Sequence, residues 1–129
     1  MQMDYSRNGL TILELCDVLT STDHGGAVVV DDMDIGASPA RLLAYIAKNG
    51  PQTLTQMLKV RDEIKLCDEH SRKDIAGFLQ DLAEGREGFR ESLPPEHRLL
   101  VKRGRRYAVT EYAMNATYDY HDQGTKGGP

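Results

Sequence analysis

The sequence predicts an α+β protein, mostly helical, in which three core helices precede a basic β-hairpin, with extra elements at both ends. Three observations carry this. Ser38, Thr53 and Ser71 each open an apolar stretch with helical spacing. The stretch 99–113, LLVKRGRRYAVTEYA, alternates around one glycine, as hairpin strands do. A length of 129 residues, 40% hydrophobic and 28% charged, suits one globular domain with a modest core.

The elements follow in order. In GLTILELCDVLTS, Ile12, Leu15, Cys16 and Leu19 recur at helical spacing, predicting a first helix over residues 9–20, with a strand as the alternative that its β-branched content allows. Val28, Val29 and Val30 read as a short strand between Gly25-Gly26 and an acidic turn. SPARLLAYIAKNG predicts a helix capped by Ser38, with Pro39 in its first position and Gly50 just past its end. Leu42, Leu43 and Ile46 line one face of it. In the next helix Thr53 is the cap and Leu54, Met57 and Leu58 turn inward. Its end falls either near Arg61-Asp62 or beyond Ile64. SRKDIAGFLQDLAEG predicts the third core helix, with Ser71 as cap and Asp74 three residues on. Its buried stripe is Ile75, Phe78, Leu79 and Leu82. Gly85 and Gly88 end it, and Pro94-Pro95 exclude helix from the connector that follows.

RLLVKRG and RRYAVTE then read as paired strands. Leu99 and Val101 share one face of the first, Tyr107 and Val109 one face of the second, and Arg103-Gly104 makes the turn. TEYAMNATYDYH reads as a last helix capped by Thr110, and residues 122–129 as a flexible tail. Tyr112, Tyr118 and Tyr120, with Met114, either pack on the core or form a dimer face; the first helix is the rival dimerisation element.

Net charge is −4, but it is unevenly spread. Residues 1–37 hold seven acids and one base, giving −6; residues 38–129 hold thirteen acids and fifteen bases, giving +2. Local charge governs binding, so the acidic total does not exclude a nucleic-acid partner. Residues 1–37 read as an acidic accessory segment, making protein contacts or competing with nucleic acid for the basic surface.

From Ser38 the order is helix, helix, helix, basic hairpin, helix. This order, with the capped SRKDIAGFLQDL helix and the LLVKRGRRYAVTEYA hairpin, resembles the winged helix-turn-helix family of DNA-binding domains across residues 38–120. The exit from the hairpin is similar to the final wing of many bacterial and archaeal regulators, where a Tyr-x-Val/Leu-Thr strand leads into a helix. Two stretches, 61–70 and 89–98, are longer than compact members have and imply an elaborated wing or an inserted helix. The resemblance implies a winged-helix domain over residues 38–121, acting as a DNA-binding transcriptional regulator, a repressor-type homodimer on duplex DNA.

The residues fit such a contact in their own right. With the apolar stripe buried, the third helix presents Arg72, Lys73, Ala76, Gly77 and Gln80. That face is basic at its start and small in the middle, with an amide that can read adenine in the major groove. Lys102, Arg103, Arg105 and Arg106, around Gly104, would hold backbone phosphates. Gly77 costs roughly 1 kcal/mol relative to Ala inside a helix. Either close approach of a partner or tight helix packing would account for it.

Other signals point away from catalysis. His24, His70, His97 and His121 are scattered, outside any HExxH or CxxC context, so no metal site is expected. Asp31, Asp32 and Asp34 lack full calcium-loop spacing. No GxSxG, P-loop or GxGxxG occurs, and Cys67 near His70 lacks a third group. No enzyme activity and no cofactor is expected. No apolar run approaches the ~20 residues of a membrane span. Residues 1–9 lack signal-peptide character, and Cys16 and Cys67 read as reduced thiols. The expectation is a cytoplasmic protein without membrane contact. Two other functions use the same fold: a winged-helix protein–protein interaction module, or a plasmid or phage replication or maintenance factor.

Overall fold

A computed structural model describes residues 7–21, 27–31, 33–64, 71–84 and 98–121. The expected end of the third core helix at Gly85 and Gly88, the connector at Pro94-Pro95 and the tail at 122–129 lie outside them.

Arg7–Leu10 is a short strand, β1, and helix α1 (Ile12–Ser21) starts only after it, not at residue 9. Thr11 sets that start. Its hydroxyl accepts from the Glu14 amide (3.1 Å), and Glu14 Oε1 accepts from the Thr11 amide (2.9 Å), a reciprocal capping box. Ile12, Leu15, Cys16 and Leu19 are buried, as their spacing predicts. Strands β2 (Ala27–Val30) and β3 (Met33–Asp34) form a tight hairpin through Asp31, at φ 53°.

Helix α2 (Ala37–Asn49) begins one residue before the expected cap. Gly36, at φ 75°, is the N-cap in place of Ser38, and its amide donates to Asp34 Oδ1 at 3.1 Å. Pro39 therefore sits third in the helix. It is tolerated there because first-turn N–H groups have no intrahelical acceptor. Gly50 closes α2 at φ 91°.

Strand β4 (Gln52–Thr53), absent from the sequence reading, leads into α3 (Leu54–Lys59). Thr53 caps α3 as expected, with Gln56 completing the box at 3.1 and 2.8 Å. Met57 is buried, Leu54 and Leu58 half-buried, and the helix breaks before Arg61. Helix α4 (Arg72–Glu84) is capped by Ser71, with Asp74 returning its carboxylate to the Ser71 amide at 3.0 Å. Its buried stripe is Ile75, Leu79 and Leu82, while Phe78 stays half-buried at the rim.

Strands β5 (Leu100–Arg103) and β6 (Arg106–Val109) pair antiparallel, and β4 joins β6 to complete a three-stranded sheet in the order β4-β6-β5. The expected last helix is shorter than its pattern suggested. Thr110 does cap α5, but α5 covers only Glu111–Asn115. Tyr118–His121 is strand β7, one of two inner strands of a second sheet ordered β1-β7-β2-β3. Tyr118 and Tyr120 alternate inward beside Val28 and Val30, all fully buried. They form core, which removes both from any dimer face.

The two sheets and five described helices share one hydrophobic cluster, running from Ile12 of α1 through Leu43 of α2 and Leu79 of α4 to Tyr120 of β7. The described part of the acidic segment thus contributes to the same core as α2. No described helix is long and apolar enough to cross a membrane.

Tyr118 donates its hydroxyl to the Ala113 carbonyl at 2.7 Å, and burial raises its phenol pKa above the ordinary value. The folded state keeps that proton when the unfolded chain, near pH 10, gives it up. Stability at this site is therefore complete below pH 10 and falls as pH rises further. Tyr118→Phe is expected to lose about 1 kcal/mol at pH 7 and to show a shallower alkaline decline, measured as urea midpoints from pH 7 to 11.

Candidate nucleic-acid interface

The basic hairpin is anchored at its base by one backbone junction. The Leu99 amide donates to the Leu82 carbonyl (3.2 Å), in the last described turn of α4. The Leu99 carbonyl accepts from the Thr110 amide at 3.1 Å. The Thr110 hydroxyl donates to the Arg98 carbonyl (2.6 Å) and accepts from the Ala113 amide (3.1 Å), capping α5. The C-terminal end of α4, the base of the hairpin and the start of α5 therefore meet at two residues.

The register corrects the sequence reading of the hairpin. Leu100 pairs with Val109, Val101 with Ala108, Lys102 with Tyr107 and Arg103 with Arg106. The turn is thus Gly104-Arg105, not Arg103-Gly104. Gly104 has φ 65° and Arg105 a negative φ, the type II′ pattern that places glycine first and tolerates another residue second. The inward face carries Leu100, Tyr107 and Val109; Val101 belongs to the other. Leu99 is buried but precedes the strand.

Lys102, Arg103, Gly104, Arg105 and Arg106 are all exposed. Among the described residues, none of the four cations makes an ion pair with a carboxylate. The Lys102 ammonium lies 5.5 Å from the Tyr107 ring centroid, a cation–π contact.

On α4, Arg72, Lys73 and Gln80 are exposed, and Ala76 and Gly77 half-buried. Gln80 donates to Glu84 Oε2 at 3.2 Å. Arg72 and Lys73 occupy the first turn, where the helix dipole disfavours cations. A Cβ added at Gly77 would meet no described atom within 4 Å, so tight helix packing does not account for this glycine.

A second feature escaped the sequence reading. Arg41 of α2 is only 4% exposed and donates to the Leu19 carbonyl, placing a cation at the C-terminal end of α1. It lines a cleft of about 170 Å³ with Cys16, Thr20, Tyr45, Lys48 and Glu63. Burial raises the pKa of the Cys16 thiol, which suits an inert core thiol. An arginine on an apolar helix face offers no sequence signal that separates burial from exposure. Cys67, His24, His70, His97 and Asp32 lie outside the described residues. Among those described, no three His, Cys, Asp or Glu side chains gather as a metal site would require.

Thr110→Ala should cost about 1 kcal/mol through the lost cap, with Thr110→Ser close to wild type in urea unfolding. Gly77→Ala should gain about 1 kcal/mol, read as a higher urea midpoint.

No family model, curated protein or solved structure matches the chain.

Proposed function

We propose that residues 38–121 form a winged-helix domain that binds duplex DNA as a transcriptional regulator. The element order supports this reading: α2, β4, α3, α4 and then the β5–β6 hairpin, with β4 completing a three-stranded sheet. Helix α4 would enter the major groove through Arg72, Lys73, Ala76, Gly77 and Gln80. The hairpin would lie on the phosphate backbone.

The observation that carries the proposal is the exposed hairpin, whose four cations find no described carboxylate. An arrangement that repels itself in the free protein is stabilised by an anionic partner. The regulator acts as a homodimer, which a two-fold operator requires. Leu13 of α1, 48% exposed, and Met114 of α5, 41% exposed, lie on two helices that touch each other and give that dimer an apolar contact. The same two side chains favour the second reading, a winged-helix module that binds protein.

Affinity for mixed-sequence duplex should fall with salt at a log–log slope of about −0.9 per neutralised phosphate. Replacing Lys102, Arg103, Arg105 and Arg106 together by Ala should flatten that slope. A folded dimer that binds no duplex at low salt would overturn the DNA reading in favour of the protein-interaction module.

A further inference from the structure

The register of the hairpin sorts three of its four cations into different environments and leaves Arg105 in the turn. Lys102 shares the inward face with Leu100, Tyr107 and Val109, and its ammonium is engaged by the Tyr107 ring. Arg103 and Arg106 lie directly opposite each other on the outward face, with Thr53 of β4 beside Arg106. Thr110 and Leu99 share a ladder hydrogen bond, and such pairs alternate along an antiparallel ribbon. Counting four residues along each strand makes Arg103 and Arg106 a hydrogen-bonded pair, with Cα atoms about 5.5 Å apart.

Like charges directly opposite on a strand pair are destabilising. Neither arginine has a described carboxylate to relieve this. One oxyanion set between two guanidinium groups turns the repulsion into charge-assisted hydrogen bonds from both sides. The pair stands on an exposed hairpin without walls, so a single free ion would gain little there. A phosphate held as part of a larger array suits it better.

We propose that Arg103 and Arg106 form one clamp for a single phosphodiester of the duplex backbone. Lys102 is outside the clamp and instead holds the Tyr107 ring. This rests on the DNA reading above and divides the basic hairpin into a binding pair and a positioning lysine.

The test compares wild type, R103Q, R106Q, the double variant and K102Q, in duplex affinity across salt and in thermal unfolding without DNA. Each single arginine variant should lose roughly tenfold in affinity at low salt, and the double scarcely more. The slope should fall by about 0.9, as for one phosphate. K102Q should lose less affinity and less slope than either arginine variant while unfolding at a lower temperature. Without DNA, R103Q and R106Q should each unfold at a higher temperature than wild type at low salt, and the gain should vanish in 1 M salt. Inorganic phosphate at matched ionic strength should not displace the duplex.

Three results would each overturn the clamp: a slope loss in K102Q equal to that of R103Q, a double variant whose loss is the product of the single losses, or no rise in unfolding temperature. Displacement by inorganic phosphate would overturn the duplex as ligand. A folded wild type that binds no duplex sinks the DNA reading itself. Failure of the clamp alone leaves wild-type binding intact, so the two failures are distinct.

Discussion

Everything proposed for the basic surface depends on the junction at Leu99 and Thr110. A two-stranded ribbon is marginal in water unless something packs against it. Here its base is tied to α4 through the Leu82 carbonyl and to α5 through the Thr110 hydroxyl. Leu99 and Leu100 bury the same end in the core, and Tyr107 buries the inward face nearer the turn. The ordering entropy of the ribbon is thereby met at one end, and the cations occupy the other, where solvent screens them. Leu100 and Val109 close the core end of the ribbon, and Arg103 and Arg106 the solvent end.

The same separation explains how an acidic chain carries a basic hairpin. Glu14, Asp31 and Asp34, among the described acids of residues 1–37, each accept a hydrogen bond. Glu14 caps α1, Asp34 accepts from the Gly36 amide, and Asp31 accepts from the Tyr112 hydroxyl at 2.7 Å. In β7, Asp119 accepts from the Gly9 amide at 2.9 Å. These carboxylates hold turns and strand edges around the four-stranded sheet. Opposite charges on separate elements need not collapse onto each other when each already has nearer hydrogen-bonding partners.

Much of the helical half was legible because its signals are local. Ile12, Leu15, Cys16 and Leu19 bury one face of α1, and Ile75, Leu79 and Leu82 one face of α4, as a 3.6-residue period requires. Thr53 and Ser71 cap as short-range chemistry dictates. The misreadings come from long-range pairing. Tyr118 and Tyr120 alternate with Asp119 and His121, but four residues after a helical Ala113-Met114 hide that period. What makes them a strand is β2, far away in sequence. Strands β3 and β4 have two residues each and no pattern to read. At the hairpin the charges were visible in the sequence. Their division between two faces was not, because a one-residue change in turn position exchanges the faces.

The sheet that joins β1, β2 and β7 also bears on the order in which the chain can fold. Gly9 and Asp119 are hydrogen-bonded across 110 residues. Contacts of such separation close large loops and slow folding. On the ribosome, β2 emerges well before its central sheet neighbour, β7. Val28 and Val30 must wait for Tyr118 and Tyr120 until every element between β2 and β7 has been synthesised. The elements between α2 and β6 are complete before then, so the basic hairpin can assemble on its own core while the N-terminal strands still lack their seat.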